Sequence, residues 1–349
     1  MMFRAAVIGL GRMGYQTPPN VLKYAPKVCL PTSHTEAISE HPKFNLCAIC
    51  DSSPDSLTRA SEFYSDALIF TDYKDLLSIQ GLDFISIATR TLPRFDIIKF
   101  FASKGVRHFH VEKPLCNSVE QLDYITKLVN NLKLHLTIGS FRRYLQPYIQ
   151  AKSLLASGLI GSLNSIDINL GHSALCWTHP HSFDLIDFFL SGRIIASVYA
   201  SAEPESYRFN GFNLDGDPII NYTHFTTTCG VIASVTSNPG CDVVLYGELG
   251  IIRIRSDGAS IYVERPYPSS SPYFSSMTEY SIGPYLYGGT TAAIARHTDS
   301  LNHYDSFSVL ASQRMLFSVV YSLLSKGAVD YSQCLPALSI NGRSGSLFA

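Results

Sequence analysis

The chain has 349 residues, a length that suggests two domains. Hydrophobic residues make up 46% and charged residues only 16%, which excludes a disordered chain and leaves enough apolar material for a large core. A formal net charge of −1 without a basic block disfavours non-specific binding to a nucleic-acid backbone, and no uninterrupted apolar run approaches the length of a bilayer span.

In chain order, strand-like and helix-like segments alternate over the first 140 residues. Strands are predicted at 3–8, 44–50, 67–70, 83–88, 107–111 and 134–138, with helical candidates at 53–65, 71–78, 94–105 and 118–131. Such alternation implies parallel pairing in a doubly wound sheet. After Ser140 one more helix, 146–158, precedes short β-rich runs punctuated by Gly, Asn-Pro-Gly and Asp-Gly. These read as a mostly antiparallel sheet joined by hairpins, interrupted by a helix at 181–192. The stretch 266–290 reads as a loop, and 308–327 as a long closing helix. The division expected is 1–139 for a dinucleotide-binding domain and 140–349 for a second domain. Eight cysteines lack a regular spacing, and the glycines that interrupt the N-terminal apolar run make a poor secretory signal. Cys47 and Cys50 form C-x-x-C inside a strand, where they point to opposite faces. A cytoplasmic protein with reduced thiols is the expectation.

The first strand runs into Gly9, Gly11 and Gly14, spaced as G-x-G-x-x-G. In a strand–turn–helix context, Gly9 permits the tight turn, Gly11 lets the backbone approach a pyrophosphate, and Gly14 lets helix pack on strand. Alone the motif fits any glycine-rich turn equally well. Asp51 ends the second strand, where a carboxylate can accept hydrogen bonds from ribose hydroxyls and repel a 2′-phosphate, favouring NAD; it could equally belong to a helix cap, a part open also to Ser52 and Ser53. Thirty-seven residues separate Gly14 from Asp51, against about 20 in the simple unit. An insertion at 15–33 accounts for the excess, and Pro18 and Pro19 forbid a continuous helix through it. It is expected to flap over the cofactor or the mouth of the site. At the end of the fifth strand stand Glu112, Lys113 and Pro114. A lysine there can stabilise a developing alkoxide, or make a surface ion pair.

The ordered series "AVIGLGRMG", "LCAICD", "FISIATR", "GVRHFHVEKPL" and "GSFRRYLQP" resembles the glucose-fructose oxidoreductase/inositol dehydrogenase/rhizopine catabolism (Gfo/Idh/MocA) family, and "ASGLIGSLNSIDI" and "YGELGIIRI" are similar to its later elements. The resemblance covers most of residues 3–265, with Glu-Lys-Pro as its specific motif. It implies an N-terminal Rossmann domain and a C-terminal α+β domain with a large, mostly antiparallel open sheet that mediates a homodimer or homotetramer. It implies hydride exchange between NAD, with NADP left open, and a carbinol of a sugar, sugar derivative or cyclitol, with no nucleic-acid or membrane partner. Lys113 carries over as the catalytic lysine, with His181 as general base or acid and Asp184, one helical turn on, to orient it or to bind a substrate hydroxyl. From the residues alone, His181 and Asp184 could instead be a helix-capping cluster. The cofactor candidates are Gly9, Gly11, Arg12, Met13, Gly14, Asp51, Ala88, Thr89, Glu112 and Lys113, and the substrate candidates Arg142, Trp177 and His179. Trp177 stands where many members carry an Asp, and could stack on a sugar ring or be a core aromatic. Thr89-Arg90 replaces the family's Thr-Pro, so Arg90 and Arg94 could contact an acidic group. His179 and His181 alternate without a third ligand, so no metal is expected there. These departures keep two alternatives open: a non-catalytic dinucleotide-binding regulator, and a glycosidase with transient NAD redox steps.

Overall fold

The computed structural model describes residues 2–266, 275–299 and 304–341. Two units form: the described residues of Met1–Phe141 and Leu286–Gln313 make the first, and those of Arg142–Tyr285 and Arg314–Arg343 the second. The described residues of 286–313, which the sequence division assigns to the second domain, thus group with the first.

The first unit is a six-stranded parallel sheet: β1 (Phe3–Ile8), β2 (Phe44–Cys50), β3 (Leu68–Phe70), β4 (Phe84–Ile87), β5 (His108–Val111) and β6 (His135–Ile138). Their order, β3-β2-β1-β4-β5-β6, reverses direction between β1 and β4. That switch point opens a crevice at the carboxyl ends of the strands, where ligands bind in such sheets. Strands β1, β4, β5 and β6 are buried almost throughout, as a sheet covered on both faces requires.

Six predicted strands match the observed ones to within a residue at either end. Up to residue 141 the helices of this unit are α1 (Pro19–Tyr24), α2 (His34–Glu40), α3 (Pro54–Ser61), α4 (Thr91–Ser103) and α5 (Val119–Leu132). The insertion explains why α2 escapes a sequence reading. His34 N donates to Met13 O at 2.8 Å and Thr35 N to Gly14 O at 3.3 Å, so α2 takes up the helix that the glycine turn begins. Residues 16–32 are looped out between these two halves. Thr17 closes the neck: its N and Oγ1 donate to Glu36 Oε2, and Thr32 N donates to Thr17 Oγ1 at 2.9 Å. Pro19 occupies the first turn of α1, where its missing N–H costs nothing.

The second unit carries α6 (Gln146–Ala156), α7 (Leu175–Leu190) and an open ten-stranded sheet among the described residues. Along the sheet lie Ser275–Tyr280, Ser260–Pro266, Gly250–Arg255, Asp242–Gly247, Leu163–Asn169, Ile232–Thr236, Ile219–Thr227, Ile195–Ala202 and Val329–Asp330. Every pairing on this path is antiparallel except that of Leu163–Asn169 with Ile232–Thr236. The expected Rossmann-plus-open-sheet class is therefore the fold observed.

The reading of 266–290 as loop needs correction. Ser275–Tyr280 pairs with Ser260–Pro266 as the edge strand, and α8 (Gly289–Ala295) begins inside the stretch; residues 267–274 lie outside the described residues. Ser-Ser-Met-Thr-Glu-Tyr on a mostly exposed edge leaves no hydrophobic period to read. The last helix, α9 (Tyr304–Ser325), contains within Asp305–Ser325 an 18-residue window long and apolar enough to span a bilayer by length and composition. The expectation that no stretch comes near that length missed it because Gln313 and Arg314 interrupt the apolar run. With 67% of that window buried, it is a core helix.

Candidate functional site

In the first unit the glycine turn is built as its sequence suggests. Gly9 has φ +92°, and a Cβ there would stand 2.7 Å from Thr89 N and 2.8 Å from Ala88 C. A Cβ on Gly14 would sit 1.8 Å from Gly9 O. Neither position tolerates a side chain. Gly11 O accepts from both Gly14 N and Tyr15 N at 3.1 Å, which winds residues 11–15 into the start of the helix. Arg12 and Met13 lie on this turn, and Arg12 also lines a cavity of about 440 Å³ with Tyr15, Gln16, Pro18, Leu22 and Glu36. The insertion therefore stands against the glycine turn.

Asp51 Oδ2 accepts from Leu10 N at 2.6 Å, and Oδ1 accepts from Ser53 N at 2.8 Å. The helix cap weighed for Asp51 is supplied by Ser53, whose Oγ accepts from Ser56 N. Each Asp51 oxygen keeps a second lone pair for a ribose hydroxyl. Ala88 and Thr89 leave β4 directly across from Gly9, with Ala88 N donating to Ile8 O at 2.8 Å.

Glu112 follows β5 and is 5% exposed. Its Oε2 accepts from Lys113 N at 3.2 Å, and its Oε1 lies 3.3 Å from His34 Nε2. The other ring nitrogen of His34 bonds Ser86 Oγ at 2.8 Å. Burial pushes the Glu112 carboxyl up, but His34, then Lys113 and Arg94, outweigh it and hold the group well below the usual carboxylate range. Gly139, at the end of β6, makes room: a Cβ there would stand 2.4 Å from Glu112 Oε1. The Lys113–Pro114 peptide is cis, and Lys113 itself is half-buried.

Arg94 is 3% exposed. It donates from Nε to Thr89 O at 3.0 Å and from a terminal nitrogen to Pro114 O. Burial pushes its pKa down to about 10, against Glu112, which raises it. Arg94 thus ties the β4 turn to the Lys-Pro turn, rather than facing a ligand as the sequence allowed. Arg90 is exposed at the start of α4.

In the second unit, α7 is capped by Asp217, whose Oδ1 accepts from Cys176 N at 2.7 Å. Trp177 and His181 are half-buried on this helix. His179 is fully buried: Nδ1 meets Ser182 Oγ at 3.2 Å and Nε2 meets Ser173 O at 3.3 Å. Desolvation pushes its pKa down to about 4, so it is a neutral core imidazole with both nitrogens engaged. Asp184 Oδ2 accepts from Arg143 Nε at 2.8 Å, and a terminal nitrogen of Arg143 reaches Asp184 O and Asp187 Oδ2. Arg142 is claimed by Asp257, with Nε–Oδ1 at 2.6 Å and a terminal nitrogen 2.8 Å from Oδ2. In place of the substrate contact expected, Arg142 thus forms a half-buried ion pair with Asp257. His34, Arg143 and Gly139 were missed from the sequence because their partners lie far along the chain.

A reversed-order parallel sheet with a glycine turn at its switch point, in a chain whose second unit is built on an open, mostly antiparallel sheet, defines a dinucleotide-binding protein of the Rossmann class. Residues 3–140 match the Gfo/Idh/MocA profile described as "Oxidoreductase family, NAD-binding Rossmann fold". It is 26% identical over 135 residues to the uncharacterized oxidoreductase YrbE of Bacillus subtilis (39% of each chain). It is 29% identical over 161 residues to scyllo-inositol 2-dehydrogenase (NAD+) of the same organism, covering 45% of this chain and 41% of that one. The chain thus matches about two fifths of the length of these curated relatives. In fold it is similar to an oxidoreductase from Agrobacterium radiobacter solved with NAD+, L-tartaric acid and magnesium. The TM-score is 0.70 and identity 18%, over 95% of this chain and 99% of that one.

Proposed function

We propose that the protein is an NAD-dependent oxidoreductase acting on a carbinol of a sugar, sugar derivative or cyclitol. The observation that carries this is the Glu112–Lys113 turn at the carboxyl end of β5, fixed by His34, Gly139 and Arg94 two strands from the glycine turn. A surface loop has no need of a buried carboxylate and a buried guanidinium to set one lysine. The name of the inositol dehydrogenase relative supports the substrate class.

The residues present fit a dinucleotide. Gly9 and Gly14 bring bare backbone to the turn, Asp51 offers oxygens to the ribose hydroxyls, and its charge disfavours a 2′-phosphate. When bound, NAD supplies the acceptor or donor of a hydride. Lys113 then presents an ammonium to the substrate oxygen and stabilises its developing negative charge. His181 takes the hydroxyl proton or returns it in the reverse direction. Asp184 acts through Arg143, which places it in the framework of α7. Trp177 offers a ring face to a sugar.

A second reading, a dinucleotide-binding regulator without chemistry, is favoured by Trp177 in place of an acid and by the Asp184–Arg143 ion pair. Screening sugars and cyclitols for NADH formation separates the two. Turnover of any member supports the enzyme, and cofactor binding without turnover across the screen supports the regulator.

A further inference from the structure

At the amino-terminal end of the parallel sheet, opposite the glycine turn, three imidazoles converge. His108 opens β5 and His135 opens β6, and the two are register partners on neighbouring parallel strands. Their side chains therefore leave the same face of the sheet. His297 comes from the turn Arg296–Thr298 in the segment that returns to this unit. One ligating nitrogen from each histidine lies within 4.8 Å of one from each of the others. His108 Nδ1 and His297 Nδ1 are 3.2 Å apart. A tetrahedral ion bound at about 2.0–2.1 Å sets its nitrogens roughly 3.3 Å apart.

The surroundings suit a cation. His297 Nε2 lies 2.8 Å from Thr137 Oγ1, which also bonds His110 Nδ1 at 2.9 Å. In the tautomer that donates from Nε2 to Thr137, His297 presents the lone pair of Nδ1 toward His108. Ligating histidines are typically fixed in this way by their second nitrogen. Asp305, in the first turn of α9, brings a carboxylate oxygen to 3.7 Å from His135 Nε2, and Arg296 Nε holds that oxygen at 3.0 Å. His135 and His297 are 4% and 3% exposed, whereas His108 is half-exposed and offers a way in from solvent.

We propose that His108, His135 and His297 bind one zinc-type divalent transition-metal ion, with Asp305 or a water as the fourth ligand. Three imidazoles select such metals over magnesium or calcium, which prefer oxygen. The ion would fasten the returning segment 286–299 to β5 and β6, closing loops of widely separated residues. It is remote from the glycine turn and independent of the proposed activity.

The test uses the full chain, stripped with a chelator and confirmed folded by circular dichroism. Zn²⁺ is titrated by calorimetry and Co²⁺ by visible absorption. One equivalent of each is expected, with a tetrahedral nitrogen-type Co²⁺ spectrum. His108→Gln and His297→Gln should each weaken binding at least about tenfold, while a His172→Gln/Cys229→Ser control leaves it unchanged. Should His297→Gln fail to fold, His108→Gln decides, because His108 is the half-exposed member. No binding by folded wild type, undiminished affinity in His108→Gln, or a thiolate-type Co²⁺ spectrum would overturn the site.

Discussion

Arg94 donates a hydrogen bond to the carbonyl oxygen of Pro114, twenty residues further along the chain, while the same guanidinium holds Thr89 O. One buried cation therefore sets two turns at the rim of the crevice. Arg94→Ala leaves both carbonyls without this donor and should cost about 2–4 kcal/mol of stability. Arg94→Lys should rescue little, because an ammonium lacks the fork that spans both acceptors. Urea unfolding midpoints check the stability. Restoration of the wild-type midpoint by lysine would refute the clamp.

Glu112 gives a pH signature. Its folded pKa is depressed, so its contribution to stability is present above the unfolded value of about 4.3 and is lost as pH falls toward the folded one. The wild type should lose stability as pH drops below about 4.3, and Glu112→Gln should flatten that part of the curve. Thermal melts at stepped pH would show it. Parallel curves for the two proteins would mean that Glu112 carries no such linkage.

Gly139→Ala places a methyl against the Glu112 carboxylate, 2.4 Å from Oε1. Displacement of that side chain should destabilise the protein by about 1–3 kcal/mol and weaken catalysis with it. Unchanged stability and turnover would show that Glu112 has room to move.

The insertion divides into a tied part and a free part. Thr290 N donates to Pro31 O at 2.8 Å, and Gly289, at φ +46°, leaves a Cβ only 2.0 Å from that oxygen. Helix α1, by contrast, buries none of its residues. Gly289→Ala should destabilise by about 2–4 kcal/mol, and Leu22→Ala should stay within about 0.5 kcal/mol. Equal effects in denaturant titrations would contradict the division.

What the sequence showed best was the sheet. Strands such as "AAVI" and "FISI" are buried on both faces and read as apolar runs, and the glycines mark the turn because no side chain fits there. Helix α2 was hidden because the insertion severs it from Gly14. Arg142, His179 and Arg94 looked available for ligand because a polar residue in a motif does not reveal its partner. Asp257 is 115 residues from Arg142, and only folding brings them together. The imidazole cluster was illegible for the same reason, with ligands at 108, 135 and 297.

The most direct measurement compares wild type with Lys113→Ala for NADH formation across a panel of sugars and cyclitols, with cofactor binding measured on both. At least one substrate should turn over with the wild type. Its kcat/KM should fall about 10²-fold or more in the variant, with NADH binding much less affected. Equal turnover by the two proteins, or none by a wild type that binds NADH, would contradict the role assigned to Lys113.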